Sequence, residues 1–141
     1  MSAPGTILAF DFGTRRIGVA VGESMIGVAH PLAEITGEEN EPRFAAVAKI
    51  VAEWNPQHIV VGLPLSAEGV PTDLTRRAQR FARQLEGRFG LSVSLVDERY
   101  SSVGAESAMR EGGAHKAIRE KRVDSAAAQI ILQQYFHEHA G

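Results

Sequence analysis

Cysteine is absent from this 141-residue chain, which excludes disulfides and thiolate-held metal centres and agrees with a reducing, cytoplasmic setting. No apolar run approaches the roughly 20 residues that a membrane-spanning helix needs. The opening Met1-Ser2-Ala3-Pro4-Gly5 has neither the basic start nor the apolar centre of a secretory leader. The chain reads as soluble, with no membrane partner. A strong charge of one sign is also missing. With a formal net charge of -2, affinity for a polyanion has to come from local clusters of Arg and Lys rather than from a whole-molecule field. Aspartate is scarce as well: four of the 17 acidic residues are Asp, and Asp11, Asp97 and Asp124 stand where apolar segments end or begin.

What is present fits one domain over residues 1–141, with residues 1–5 as a flexible N-terminal tail. Thr6 to Asp11 and Arg16 to Gly22 are short apolar runs around a Gly13 turn, which predicts a hairpin. Ile26 to Leu32 offers a third strand ended near Pro31. An acidic loop then leads into a helix with Pro42 in its first turn and an apolar stripe of Phe44, Val47, Ala48, Val51 and Trp54. His58 to Leu63 is short, continuously apolar and closed by Pro64, as a buried parallel strand would be.

Thr72 suits the N-cap of a second helix with the stripe Leu74, Ala78, Phe81, Leu85 and Phe89, opposite Arg76, Arg77, Arg80 and Arg83. Leu91 to Asp97 predicts a strand, Ser102 to Arg110 a short helix, Gly112 to Arg122 a basic loop, and Val123 to about His137 the last helix. An antiparallel start followed by alternating helix and strand predicts an α/β fold, a mixed sheet with helices on both faces. Ligands of such sheets sit outside the carboxyl ends of the parallel strands. Asp11, Leu63-Pro64 and Asp97-Glu98 all fall there.

Asp11 ends a strand beside a tight turn and is followed by Thr14, Arg15 and Arg16. An Asp at such a place can equally serve the turn itself. Asp124 shares a helical stripe with Ala127, Ala128, Ile131 and Tyr135, and the run Ala126-Ala127-Ala128 would let the helix approach the sheet closely. In a first helical turn an Asp can also be a simple cap. Asp97 and Glu98 follow the last strand, where one or both could face the same crevice or form a solvated cluster. Three carboxylates from two strand ends and a helix start would suit Mg²⁺ or Mn²⁺ and phosphodiester hydrolysis. Zinc fits poorly without Cys or a His pair at ligand spacing. Cations that could meet phosphates are Arg15, Arg16, Arg99, and Lys116, Arg119, Lys121 and Arg122 ahead of Asp124. The arginines of the second helix read more readily as a solvated face.

The ordered motifs DFGTRRIGVAVG, IVVGLPLSAEG, VDERYSS and KRVDSAAAQIIL resemble the bacterial YqgF/RuvX family of RNase H-like nucleases over roughly Ile7 to Tyr135. The resemblance implies an RNase H-like five-stranded sheet of order 3-2-1-4-5 and a cytoplasmic role in maturing the 5′ end of the 16S ribosomal RNA precursor. Resolution of Holliday junctions is the family's other proposed activity. It places the acidic site on Asp11, on an acid of the DER motif and on Asp124. Since the fourth strand ends in Gly62-Leu63-Pro64 without a carboxylate, the second acid has to reach from the fifth strand, two spacings or about 10 Å from the first. A long Glu bridges that better than an Asp, which favours Glu98 over Asp97. Ser101-Ser102 stands where the family often has Thr, which retains the hydroxyls.

Structured RNA such as the 16S precursor or branched DNA is thus the expected partner, and an enzyme acting on two strands would pair as a twofold homodimer. Two other classes compete. Asp11-Phe12-Gly13-Thr14 also resembles the phosphate loop of actin-like ATPases, which need two such domains. A nucleic-acid-binding assembly factor without catalysis is the other.

Overall fold

The computed structural model describes residues 5–66, 68–97 and 116–139, the side chains of the last stretch from residue 126 onward. β1 (Thr6–Phe12), β2 (Arg16–Glu23) and β3 (Ala29–Thr36) form an antiparallel meander. α1 (Asn40–Trp54) leads to β4 (His58–Leu63), and α2 (Asp73–Phe89) to β5 (Val93–Asp97). The last helix is α3 (Lys116–His139). β4 adds parallel to β1 and β5 parallel to β4, giving the sheet order 3-2-1-4-5 expected of an RNase H-like fold.

Strand alternation divides the core in two. Leu8, Phe10 and Phe12 of β1 pack with Phe44 and Val47 of α1 and Ala78, Phe81 and Leu85 of α2. Ile7 and Ala9 face the other way, with Ala20, Ala29, Val60 and Val96, and meet Ala128, Ile131, Leu132, Tyr135 and Phe136 of α3. The predicted stripe of α2 holds, with Ala78, Phe81 and Leu85 buried. That helix starts in a capping box: the Thr72 hydroxyl accepts from the Thr75 amide, and the Thr75 hydroxyl accepts from the Thr72 amide at 2.8 Å. The buried Thr75 hydroxyl also donates to the Pro64 carbonyl, which pins the start of α2 to the end of β4.

Several expected boundaries shift. The third strand runs Ala29–Thr36 rather than Ile26 to Leu32. The Ile26 and Gly27 amides instead close a turn onto the Glu23 carbonyl, with Gly27 at φ 72°, which leaves Met25 and Ile26 exposed. Pro31 lies inside that strand because β3 is an edge strand and its register slips opposite Val19 and Ala20, where the missing N–H costs little. β5 begins at Val93 rather than Leu91. In α1, Ala48 is exposed, and Arg43 is buried with Phe44 and Val47.

The largest shift concerns the segment expected as a basic loop over 112–122. From Lys116 it is already helix and continuous with the last one, as the strong helix formers between Ala117 and Arg122 favour once Gly112-Gly113 is passed. Gly5, assigned to the tail, exchanges hydrogen bonds with Ser24 of 2.9 and 3.0 Å. The short helix expected over Ser102 to Arg110 lies outside the described residues. Among the described residues, no helix is long and apolar enough to cross a membrane.

Candidate active site

The carboxyl ends of β1, β4 and β5 lie along one edge of the sheet. Asp11 is half-buried near the end of β1, opposite Gly18 of β2. It follows Ile7 and Ala9 at even spacing, so it belongs to the face that α3 covers. The chain then turns through Gly13, Thr14 and Arg15. A Cβ at Gly13 would stand 2.6 Å from the Arg16 carbonyl oxygen, so the closeness of this turn requires glycine.

Arg43 holds that turn from the other side of the sheet. It donates to the Thr14 carbonyl at 3.1 Å and to the Gly13 carbonyl, and its guanidinium lies 4.9 Å from the centre of the Phe12 ring. Only 3% of the residue is exposed. Burial pulls its pKa below the usual arginine value, the charge of Arg77 adds to this, and Glu38 opposes it. A guanidinium stays protonated even so. The arrangement fixes a buried cation against the turn that follows Asp11, and sequence reasoning passed over it. Its signal was spacing: Arg43 stands four residues before Val47, inside an apolar stripe where a cation is out of place.

The other expected contacts near Asp11 are on the surface. Thr14, Arg15 and Arg16 are exposed, Arg15 lies 3.6 Å from Glu38 and Arg16 3.9 Å from Glu34. Exposed pairs of this kind contribute little and exchange readily for another anion. Asp97 ends β5 opposite Leu63. Val96 belongs to the α3 side of the core, so alternation gives Asp97 to the α1 and α2 side, opposite Asp11. β4 ends without a carboxylate, as its sequence requires.

Glu98 and Arg99 lie outside the described residues. Lys116, Arg119, Lys121, Arg122 and Asp124 are placed as helical backbone of α3, their side chains being outside the description. This corrects two expectations. The four cations ride on a helix and not on a loop, and Asp124 is the ninth residue of that helix, eight past its start, where neither a cap nor the dipole of a first turn explains it.

The axial position of α3 is set by two glutamines one turn apart. Gln129 donates to the Ala29 carbonyl at 3.0 Å; Gln133 accepts from the Ala29 amide at 3.0 Å and donates to the Gly27 carbonyl at 2.8 Å. As α3 advances from 129 to 133 its partners step back from Ala29 to Gly27, so the helix runs antiparallel to β3 and β1. Close packing goes with this anchoring. Ala128 is fully buried, and a Cβ at Gly22 would meet the Phe136 ring and the Val28 carbonyl oxygen, both at 2.7 Å.

The family model for RuvX, described as Holliday junction resolvase, matches residues 5–138. The chain belongs to the RuvX family. A curated relative from Dechloromonas aromatica, named "Putative pre-16S rRNA nuclease", is 52% identical over 132 residues, covering 94% of this chain and 90% of its own. Two solved structures share the fold at a TM-score of 0.61. One is the Fowlpox virus resolvase with Holliday junction DNA, 12% identical and covering 96% of this chain and 99% of its own. The other is Thermus thermophilus RuvC with its junction substrate, 16% identical and covering 97% and 96%. RuvX membership thus comes with the RNase H-like architecture of resolvases.

Proposed function

We propose that this RuvX-family chain is a divalent-metal-dependent nuclease that hydrolyses phosphodiester bonds in 5′-end maturation of the 16S ribosomal RNA precursor. Asp11, Glu98 and Asp124 form its acidic site. The observation that carries the reading is axial. Gln133 is bonded to Ala29, which pairs with Gly22, which pairs with Ile7. From Gln133 back to position 124 is about 13 Å of helix, and from Ile7 forward to Asp11 is about 13 Å of strand. An antiparallel helix on the face to which Asp11 belongs therefore supports Asp124 and Asp11 as one site. The strand parity that separates Asp97 from Asp11 supports Glu98 as the third acid.

A donor set of carboxylates, without thiol or imidazole, fits a hard cation. Asp11, Glu98 and Asp124 would hold Mg²⁺ or Mn²⁺, which when bound supplies charge stabilisation and an acidified water. The chain's own residues do the rest. Arg43 keeps the Gly13–Thr14 turn rigid, so that Asp11 meets the scissile phosphate from a fixed backbone. Thr14, Arg15, Arg16 and Arg99 orient neighbouring phosphates, and Lys116, Arg119, Lys121 and Arg122 extend that contact along the start of α3.

The test is cleavage of precursor ribosomal RNA and of branched DNA with Mg²⁺ or Mn²⁺. Asp11→Asn is expected to lower the rate by roughly a hundredfold or more, the several kcal/mol attributed to a lost charge contact. Undiminished cleavage would remove Asp11 from the mechanism. A second reading, resolution of Holliday junctions, is favoured by the family description and by the junction-bound neighbours of like fold. It would require a twofold homodimer, and preference for four-way DNA over precursor RNA would select it. Metal-independent RNA binding with no cleavage would select an assembly factor.

A further inference from the structure

On the face of the sheet away from α3, the first turn of α1 and the middle of α2 enclose a small cleft lined by Phe12, Asn40, Arg43, Arg77, Arg80 and Gln84 among others, none of them a carboxylate. Three guanidiniums and two amides line it beside the rings of Phe12, Phe44 and Phe81, with the Arg43 guanidinium 4.9 Å from the centre of the Phe12 ring. Arg77 and Arg80 are exposed on successive turns of α2. Arg43 is almost wholly buried beneath them, and its Nε has no hydrogen-bond partner. A buried N–H donor without an acceptor is costly, and like charges brought together cost more unless an anion joins them.

Arg15 pairs with Glu38, Arg16 with Glu34 and Arg88 with Glu41; of these carboxylates Glu38 also acts on Arg43, and none of the three lines the cleft. A solvated arginine face would be scattered around α2. Arg76 and Arg83 fit that account, whereas Arg77 and Arg80 share a concavity with a buried cation. Fork-shaped donors around a small concavity suit the tetrahedral oxyanion of a phosphate. Phe12 in its lining is the residue after Asp11, one Cα step of about 3.8 Å away.

We propose that the Arg43–Arg77–Arg80 cleft is a phosphate-binding subsite. Its natural occupant is a backbone phosphate of the nucleic acid, held on the opposite side of the Gly13–Arg16 turn from the acids. The choice of nucleic acid as the source rests on the nuclease reading; the phosphate chemistry does not. A strand engaged there and at Asp11 would wrap the turn, which gives Arg43 two tasks, bracing the turn carbonyls through its terminal nitrogens and lending its charge to the subsite.

The test measures binding of a fluorescently labelled single strand by anisotropy in EDTA at several salt concentrations, so that neither metal nor cleavage enters. The double variant Arg77→Gln/Arg80→Gln, at exposed positions that leave the fold intact, is compared with Arg83→Gln, on the same helix outside the cleft. The double variant is expected to weaken binding at least about tenfold and to flatten the slope of log affinity against log salt by about 1.4, as the loss of two phosphate contacts on a single strand implies. Arg83→Gln should leave both unchanged.

A second arm follows thermal stability with inorganic phosphate and with a mononucleotide. Stabilisation of the wild type but not of the double variant, with strand binding unaltered, would keep the phosphate site and assign it to a free phosphate compound. If the double variant matches Arg83→Gln in both arms, the subsite does not exist. Failure of the acidic site would instead appear as cleavage that survives Asp11→Asn, with these binding results untouched.

Discussion

The two faces of the sheet are built on different principles. The α1 and α2 face is aromatic and thick: Phe81 sits among Phe10, Phe12 and Phe44, with ring centres 5.1 to 5.9 Å apart. The α3 face is thin on its sheet side, where Ala9, Ala20 and Ala29 meet Ala128, Ile131, Leu132, Tyr135 and Phe136 of the helix, and side-chain amides index it as well as packing. Large interlocking rings supply stability but tolerate small displacements along a helix axis, whereas a Gln129–Gln133 ladder on strand carbonyls and amides does not. The aromatic face is therefore separate from the face on which the proposed site would hold two acids in register.

That contrast is broken most severely at Phe81. Phe81→Ala should cost about 3–5 kcal/mol through the cavity left between both helices and the strand, read as a lowered urea midpoint with little change in slope. On the thin face, Gly22→Ala has no cavity to fill and forces the Phe136 ring and the Val28 backbone apart, at about 1–3 kcal/mol. Its signature should be functional as well, with cleavage falling by more than the unfolded fraction explains, because the helix that carries Asp124 is pushed off the strand. If Gly22→Ala only destabilises, close approach of α3 is not needed for the site.

A finer distinction comes from Gln129→Ala/Gln133→Ala. The loss of three hydrogen bonds, partly replaced by water, should cost about 1–3 kcal/mol. The decisive readout is again activity of the folded protein. Cleavage that remains at the wild-type rate would mean that packing alone fixes the axial position of α3, and that the two glutamines are not what brings Asp124 level with Asp11.

The same contrast explains what could be read from the sequence. Strand alternation and the stripes of α1 and α2 are one-dimensional patterns, so a mixed sheet with helices on both faces and the position of Asp11 at a strand end were legible, while the order 3-2-1-4-5 came only with the family resemblance. The start of α3 was not, because Lys116 to Arg122 carries charge without an apolar period, and charge suggested a loop where helix propensity decided otherwise. Arg43 was missed for a related reason: its role depends on carbonyls of a turn about thirty positions earlier, a pairing that no local period encodes. The glutamine ladder was likewise invisible, since Gln129 and Gln133 read as polar flanks of a stripe until Ala29 is set beside them.

The smallest effect concerns the far end of the thin face, where His58 stacks on Tyr135 at 5.5 Å and both of its ring nitrogens meet hydroxyls, Ser92 at 2.7 Å and Ser94 at 2.8 Å. Burial lowers its pKa below 6.5, and the charge of His139 on α3 lowers it further. The folded protein thus resists a proton that the unfolded chain accepts. Stability from this group is complete above about pH 6.5 and is lost as the pH falls from there through the depressed folded value. Solvent screens a half-exposed ring, so the slope is shallow. Urea midpoints at pH 5.5 and 7.5 should differ less in His58→Gln than in the wild type, and His139→Gln, which leaves His58 buried, should fall between the two. Equal pH dependence in all three proteins would show that His58 protonates freely in the fold and that the end of α3 lies clear of it.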